Sequence, residues 1–468
     1  MEKGRNMRNL LSSLAGRMAA LAVAASVGIT AVGVPSFAAA ASRDNLPIVR
    51  DAEIESLVTG YARPLLKAAG LSRAGIETVL VNSPDFNAFV LGRRIFVNTG
   101  ALTMTETPNQ LTGIIAHEIG HLAGGHQQRL RDRLEGAKVM AIAAALLGAG
   151  VAIGGTAAGA RGAVGAGAGI FSAGGSAAQR SILSYVRGEE STADRSAINY
   201  LAKTGQSGRG LLETFENLER SNMFSGAGGR NYLSSHPAPR DRISAIEEAA
   251  RSSTHFDQAD PPALVEAHNL ARAKIAAYAG GMNDVRRMFA KDPRGLPALY
   301  GDAIATFLAG STASALQKMD GLIAARPSNP WFHEMRGEIL LESGRGSEAA
   351  AAFSRAANLD PSKSGLIRAE VGQAMVLSGS QSDLKQAVEM IQAGLQSDPM
   401  NGQAYRYLAM AYGRLGDIGR AELATAEGHW NIGSLSEAKV FAARAQAKLK
   451  PGTPAWRRAQ DILATKSR

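Results

Sequence analysis

Five consecutive residues, His117-Glu118-Ile119-Gly120-His121, carry the plainest chemistry in the chain. At 100° per residue, positions four apart share one face of a helix. Both imidazoles can therefore reach one metal ion, while Glu118, offset from them, can address water beside it. The chain has 8 histidines and no cysteine. Imidazole and carboxylate are then its metal ligands, and disulfides and thiolate chemistry are excluded. That set suits zinc in tetrahedral geometry, one ion per chain. The residues before the motif start a helix: Thr107 is placed to cap, Pro108 suits the first helical position, and Gln110 can complete a capping box. Leu111, Ile114, Ile115, Ile119 and Leu122 follow at helical spacing, and the pattern predicts continuation toward Leu134.

A third protein ligand is needed. His126 lies half a turn from His117 on a continuous helix and cannot share the ion unless the helix breaks at Gly124-Gly125, so it reads as a surface or packing histidine. Glu190 and Asp194, in Arg187-Gly188-Glu189-Glu190-Ser191-Thr192-Ala193-Asp194, fall on one helical face. Glu190 would complete a His2Glu set, and Asp194 would hold the far nitrogen of a ligand histidine. Taken alone, such a carboxylate pair is more often a solvated face. By itself His236, in Ser235-His236-Pro237, reads as an ordinary loop histidine.

HExxH followed by an ExxAD helix resembles the HtpX/CAAX-prenyl-protease family of gluzincin peptidases. The run Gly92-Arg93-Arg94-Ile95-Phe96-Val97-Asn98-Thr99-Gly100-Ala101-Leu102, His126 after the second histidine, and Arg187 three before Glu190 agree with it. The resemblance implies a zinc metalloendopeptidase in which His117, His121 and Glu190 hold the ion and Glu118 is the general base. It implies that His236 lies near the metal, as a fourth ligand of a latent state or as a stabiliser of the tetrahedral intermediate, with Arg242 in the same cleft. A fourth ligand would block the open position that catalysis requires. The glycines of Ser225-Gly226-Ala227-Gly228-Gly229 would let it move.

The elements that must hold these residues are legible as well. Ile54, Leu57, Val58 and Tyr61 share a helical face, and Thr78-Val79-Leu80-Val81-Asn82 reads as a strand. Ala88-Phe89-Val90-Leu91 and Arg94-Ile95-Phe96-Val97-Asn98 flank Gly92-Arg93 as a hairpin. Beside a zinc cleft, Ala88, Phe89, Val90, Ile95, Phe96 and Val97 would pair with an extended substrate; the equal alternative is plain core sheet. Residues 136–178 are rich in Ala and Gly and read as a lid or insertion rather than a membrane span, although 139–160 leaves a membrane-embedded peptidase open. A helix over 181–204 stops at Gly205.

From about residue 260 paired short helices take over. Asp292-Pro293, Arg326-Pro327 and Asp360-Pro361 recur at 34 residues, and Asp398-Pro399 follows at 38. With small residues at Gly337, Gly344, Ala349, Ala350 and Ala356, the period resembles tetratricopeptide repeats. Pro451-Gly452-Thr453-Pro454 precedes a last helix, Trp456 to Ala464. The expected architecture is an α+β zincin-like metalloprotease domain over 43–255, mostly helical with a small sheet, followed by an all-α repeat solenoid over 260–468.

With 468 residues, 45% hydrophobic and 20% charged, the chain has the composition of a globular protein of two domains. The formal charge is +10, of which Lys3, Arg5, Arg8 and Arg17 against Glu2 supply part. No dense basic run interleaved with aromatics is present, which argues against nucleic acid; peripheral attraction to anionic membranes stays open. Residues 1–40 read as a signal peptide: a basic start, an apolar stretch from Met18 to Val34, and small residues placed for cleavage after Ala38 or Ala40. Leader, catalytic domain and repeats together resemble a periplasmic branch of the family, in Gram-negative bacteria. That implies unfolded or misassembled envelope proteins as substrates and the outer-membrane assembly machinery as a partner of the repeats. A largely latent protease acting as a chaperone-like adaptor is the alternative.

Overall fold

The computed structural model describes residues 46–133, 184–224, 232, 236 and 240–465. The leader at 1–40, the lid or insertion at 136–178 and the glycines at 226–229 lie outside them. The chain divides into two compact units. One contains Leu57–Asn269, and the other Leu270–Arg468 together with Asp51–Ser56.

The first unit holds a four-stranded sheet in the order β1-β2-β4-β3, from β1 (Ile48–Val49), β2 (Glu77–Val81), β3 (Ala88–Leu91) and β4 (Arg94–Asn98). β2 runs parallel to β4, and β3 pairs antiparallel with β4, with Phe89 opposite Phe96. The two-residue turn needs a left-handed residue, which Gly92 supplies at φ 62°. The two-residue β1 was not anticipated, because so short a segment has no alternation to read.

After α1 (Ala52–Ala68) and α2 (Thr99–Met104), the motif helix α3 spans Pro108–Gly124. The Thr107 side chain accepts from the Gln110 amide at 3.4 Å. Gln110 Oε1 reaches back to the Glu106 amide at 2.7 Å, one residue earlier than a capping box requires. The helix does not run on toward Leu134. Gly125 takes the left-handed conformation at φ 64° and ends it, and a separate helix α4 follows over 126–133. α5 over 184–203, α6 (Arg209–Phe224) and α7 (Arg240–Arg251) complete the unit. α3 packs on α6 so closely that a Cβ on Gly113 would lie 2.9 Å from the Leu211 Cα. Asn109 fixes the same approach by donating to the Ser207 carbonyl at 2.8 Å and accepting from the Gly210 amide at 2.7 Å.

The repeats begin with α8 (Pro262–Met288), kinked at left-handed Gly281. Five antiparallel pairs follow: α9 (Leu296–Leu308) with α10 (Thr312–Ala325), α11 (Pro330–Glu342) with α12 (Gly346–Leu359), α13 (Gly365–Leu377) with α14 (Leu384–Ser397), α15 (Gly402–Arg414) with α16 (Ile418–Asn431), and α17 (Leu435–Lys448) with α18 (Pro454–Ala464). The recurring prolines fall just past α8, α10, α12 and α14, where a missing amide costs no helical hydrogen bond. Gly337 is small for a reason: a Cβ there would sit 2.8 Å from the Phe353 ring. No described helix is long and apolar enough to cross a membrane.

A buried cation lies in this repeat unit. Lys274 Nζ contacts Asp51 Oδ2 at 2.7 Å, Glu334 Oε2 at 3.2 Å and Glu53 Oε2 at 3.5 Å. Tyr300 donates to Glu53 Oε2 at 2.9 Å. Burial raises the Glu53 carboxyl to about 7, against the pull of Lys274. The folded state therefore holds its proton above the unfolded pKa of about 4.5, and stability falls as pH rises from there through 7. Glu53→Gln keeps the shape without the charge. It is expected to stabilise the repeats at pH 8 by on the order of 2–3 kcal/mol and to change little at pH 4.5. The three tryptophans, Trp331, Trp430 and Trp456, all lie in the repeats, so fluorescence-detected denaturation at the two pH values reads the difference directly. An equal effect at both would contradict the assignment.

Candidate metal centre

The centre is assembled from two helices and the residues that follow. α3 brings His117, Glu118 and His121, and α5 brings Glu190 and Asp194. Backbone contact sets their spacing: a Cβ on Gly120 would lie 2.9 Å from the Ala193 carbonyl oxygen and 3.0 Å from its Cα. Both small residues sit inside the two motifs, and nothing larger than hydrogen fits on the α3 side.

Side chains converge at this crossing. Donor atoms of His117, His121, Glu190 and His236 all lie within 4.8 Å of one another, and all four residues are at least partly enclosed. His117 Nε2 is 3.0 Å from His121 Nε2. Glu190 approaches both, at 3.3 Å each. His236 Nδ1 is 3.2 Å from either Glu190 oxygen and 3.4 Å from His117 Nε2. Its Nε2 lies 3.6 Å from Glu118 Oε1, and Tyr232 stacks on its ring at 4.6 Å. Among the described residues the other such cluster is Glu334, Glu338 and Glu370, in the repeats and without a histidine.

Behind the donors stands a second layer. Asp194 Oδ1 is 2.9 Å from His117 Nδ1. Arg242 grips Asp194 with Nε at 2.7 Å and Nη2 at 2.9 Å, and its Nη1 is 3.1 Å from Glu190 Oε2. Phe215 lies under the guanidinium, 5.1 Å from its carbon to the ring centre. Burial opposes charge on His117, yet the hydrogen bonds and charges of Asp194 and Glu190 outweigh it and hold its pKa up to about 10. Burial pushes His121 down to about 3. Burial also raises Glu118, against the charges of His236 and His117. Glu190 is held well below the usual carboxylate range, its burial outweighed first by His236 and then by both other histidines.

This donor set fits a divalent cation. With Asp194 on its Nδ1, His117 turns its Nε2 toward the centre, and His121 turns its Nε2 to the same point. Among the described residues the buried Glu118 Oε1 has no hydrogen-bond partner, which suits a carboxylate facing water or substrate. Two imidazole nitrogens and a carboxylate are the ligand types zinc takes.

Not every residue expected here belongs to the centre. β4 is paired on both sides, so Ile95, Phe96 and Val97 have no backbone groups to offer a substrate; their side chains are core. β3 is an edge strand beside α3, and Ala88, Phe89 and Val90 lie along it. The Gln127 side chain already donates to the Val90 carbonyl. His126 is neither ligand nor surface residue. It is 5% exposed and contacts His121 and Glu189. The Gly124-Gly125 pair was the sequence signal for that turn. Tyr232 and Phe215 carried none, since an aromatic that stacks on a distant histidine has no spacing to read.

Residues 49–250 match the model of peptidase family M48. The β-barrel assembly-enhancing protease of Escherichia coli (strain K12) is 22% identical over 422 residues, 88% of this chain and 82% of that protein. The protein of the same name from Yersinia pestis is 24% identical over 322 residues, 67% of this chain and 64% of that one. The chain thus spans less than two thirds of the Yersinia protein. Among solved structures, MamA matches 34% of the chain and 90% of its own length at 16% identity and a TM-score of 0.28. A tetratricopeptide repeat protein from Parabacteroides merdae matches 54% of the chain and 98% of its own length, at 14% identity and TM-score 0.28.

The Gly120–Ala193 contact is testable. A methyl group at Gly120 must push α5 away, at a cost of about 1–3 kcal/mol, and draw Glu190 from the centre. Gly120→Ala is expected to weaken binding of a divalent metal at least tenfold, read by competition with a chelator. Wild-type affinity in a folded variant would show that the helices tolerate a wider crossing.

Proposed function

We infer that this chain, whose residues 49–250 match the model of peptidase family M48, is a zinc-dependent endopeptidase of the bacterial cell envelope. The reading is carried by one observation: His117, His121 and Glu190 converge on a point beside the buried Glu118 Oε1, which has no hydrogen-bond partner among the described residues. Zinc held by those three side chains would polarise a peptide carbonyl and make water acidic enough to attack it. Glu118 takes the proton from the attacking water and delivers it to the leaving nitrogen, breaking the C–N bond. Asp194 orients His117, and Arg242 holds Asp194 and Glu190 in place through its three contacts. The outer edge of β3, where Gln127 already takes the Val90 carbonyl, would offer an extended substrate its remaining backbone groups, which would align the scissile carbonyl beside α3.

His236 has two roles open to it. Its Nδ1 lies among the ligand atoms, where it would act as a fourth ligand and hold the enzyme latent; its Nε2 faces Glu118, where it would stabilise the tetrahedral intermediate. Substrates would be unfolded or misassembled envelope proteins in the periplasm of a Gram-negative bacterium, reached after removal of the leader at 1–40. The name of the curated relatives, β-barrel assembly-enhancing protease, supports outer-membrane assembly as the setting. The repeats would dock clients or the assembly machinery, since stacked helix pairs present extended surfaces for such partners.

Glu118→Gln should retain zinc and lose casein cleavage by about 10²-fold or more. Cleavage near wild-type rate would remove Glu118 from the mechanism, and purified chain without zinc would remove the metal reading. His236→Ala separates its two roles by sign: faster cleavage marks a blocking ligand, slower cleavage a transition-state contact.

A further inference from the structure

Each histidine that meets at the centre has a second ring nitrogen, and the protein treats the two differently. His117 Nδ1 faces a carboxylate directly, at Asp194. His121 Nδ1 faces another imidazole, His126 Nδ1, at 2.8 Å with the rings nearly perpendicular at 88°. His126 Nε2 in turn lies 2.6 Å from Glu189 Oε2. Arg129 Nη2 holds that same oxygen at 2.7 Å, and Arg129 also donates to the Gly124 carbonyl and the Tyr185 hydroxyl.

We propose that His126 is a positioning residue for His121, fixing its tautomer and ring orientation through a chain that ends on the Glu189–Arg129 ion pair. The proposal rests on the reading of His121 as a metal ligand. Proton bookkeeping dictates the direction of the chain. Two Nδ1 atoms 2.8 Å apart must share a single proton, since neutral imidazole has one donor and one acceptor nitrogen. His121 can offer a lone pair at Nε2 only if its proton is on Nδ1. It therefore donates, and His126 accepts at Nδ1. His126 then carries its own proton on Nε2, which faces the Glu189 carboxylate, and Arg129 keeps that carboxylate charged and in place. The opposite assignment would set a lone pair of His126 Nε2 against the Glu189 carboxylate.

The backbone is shaped for this contact. On a continuous helix His126 would point away from His121. The left-handed Gly125 ends α3 and turns the chain back. Gly124 clears the space, for a Cβ there would overlap the His126 ring. Glu189 and Glu190 are neighbours on α5, about 100° apart around its axis, so one helix sends one carboxylate to the relay and the next to the centre.

His126→Leu and His126→Asn differ in chemistry and hardly in shape. The asparagine amide oxygen stands near the place of Nδ1 and can accept from His121; leucine cannot. In the full-length chain, zinc affinity by chelator competition is expected to fall about 10–100-fold in His126→Leu and to stay within about threefold of wild type in His126→Asn. Glu189→Gln, which keeps the side chain's size, should weaken zinc several-fold and serves as the test if His126→Leu does not fold. The readout needs no turnover, and metal-free melting temperatures report any loss of packing. Equal affinity in the Leu and Asn variants, whether normal or reduced, overturns the relay, as does wild-type affinity in Glu189→Gln. Wild-type protein that binds no zinc overturns the proposed function itself, whereas zinc-loaded wild type with indifferent variants overturns the relay alone.

Discussion

The approach of two helices to backbone contact is the constraint on which the centre depends. Gly120 and Ala193 face each other with no room for a side chain on one of them. A larger residue at Gly120 would hold the helices apart and shift Glu190 relative to the two imidazoles. The close crossing lets three donors from two helices reach one point without long, flexible arms. It also explains why the small residues lie inside the motifs. They are the floor on which the ligands stand, and a larger side chain at Gly120 would disturb the centre without touching any donor atom.

Such proximity has an electrostatic consequence. Glu118, Glu190 and Asp194 are all buried there, and among the described residues Arg242 is the one Lys or Arg buried with them. Three carboxylates against one guanidinium leave the interior short of positive charge, which low dielectric makes costly. His117 answers that shortage by holding a proton up to about 10, and a divalent ion at the same point answers it more fully. The proton and the ion compete for one set of lone pairs. The outer contacts decide which nitrogen is free: Asp194 on His117 and His126 on His121 both leave Nε2 for the centre.

What the sequence could reveal follows from how local each signal is. The Thr107-Pro108 start of the HExxH helix, the Gly92-Arg93 hairpin and the 34-residue period with proline are patterns of neighbouring or regularly spaced residues, and each appears in the structure where it is expected. The run of α3 toward Leu134 was misread because apolar periodicity continues past Gly124 while the backbone does not. Periodicity registers side chains, whereas the break is a left-handed φ at one glycine. The same break brought His126 to His121, so one backbone angle separates a packing residue from a member of the centre. Residues 95–97 read equally well as substrate-pairing strand and as plain core sheet, because a short β run does not tell an edge strand from an interior one. Only the pairing of β4 with both β2 and β3 does so.

Long-range order was invisible for a different reason. Asp51 and Glu53 pack with Lys274 and Glu334, more than two hundred residues later in the chain, and no periodicity spans that interval. The pairing is nonetheless restrictive. Lys274 is 1% exposed, and a buried cation left with no carboxylate partner costs about 3–5 kcal/mol. An apolar contact at Ala52, which rests with Ala356 and Ile367, would tolerate a shift of one helical position; the ion cluster would not, because Asp51 and Glu53 would then face away from Lys274. The apolar contact supplies adhesion and the charges supply register. In the repeat unit, as at the metal centre, buried cationic chemistry selects one arrangement from several that packing alone would accept.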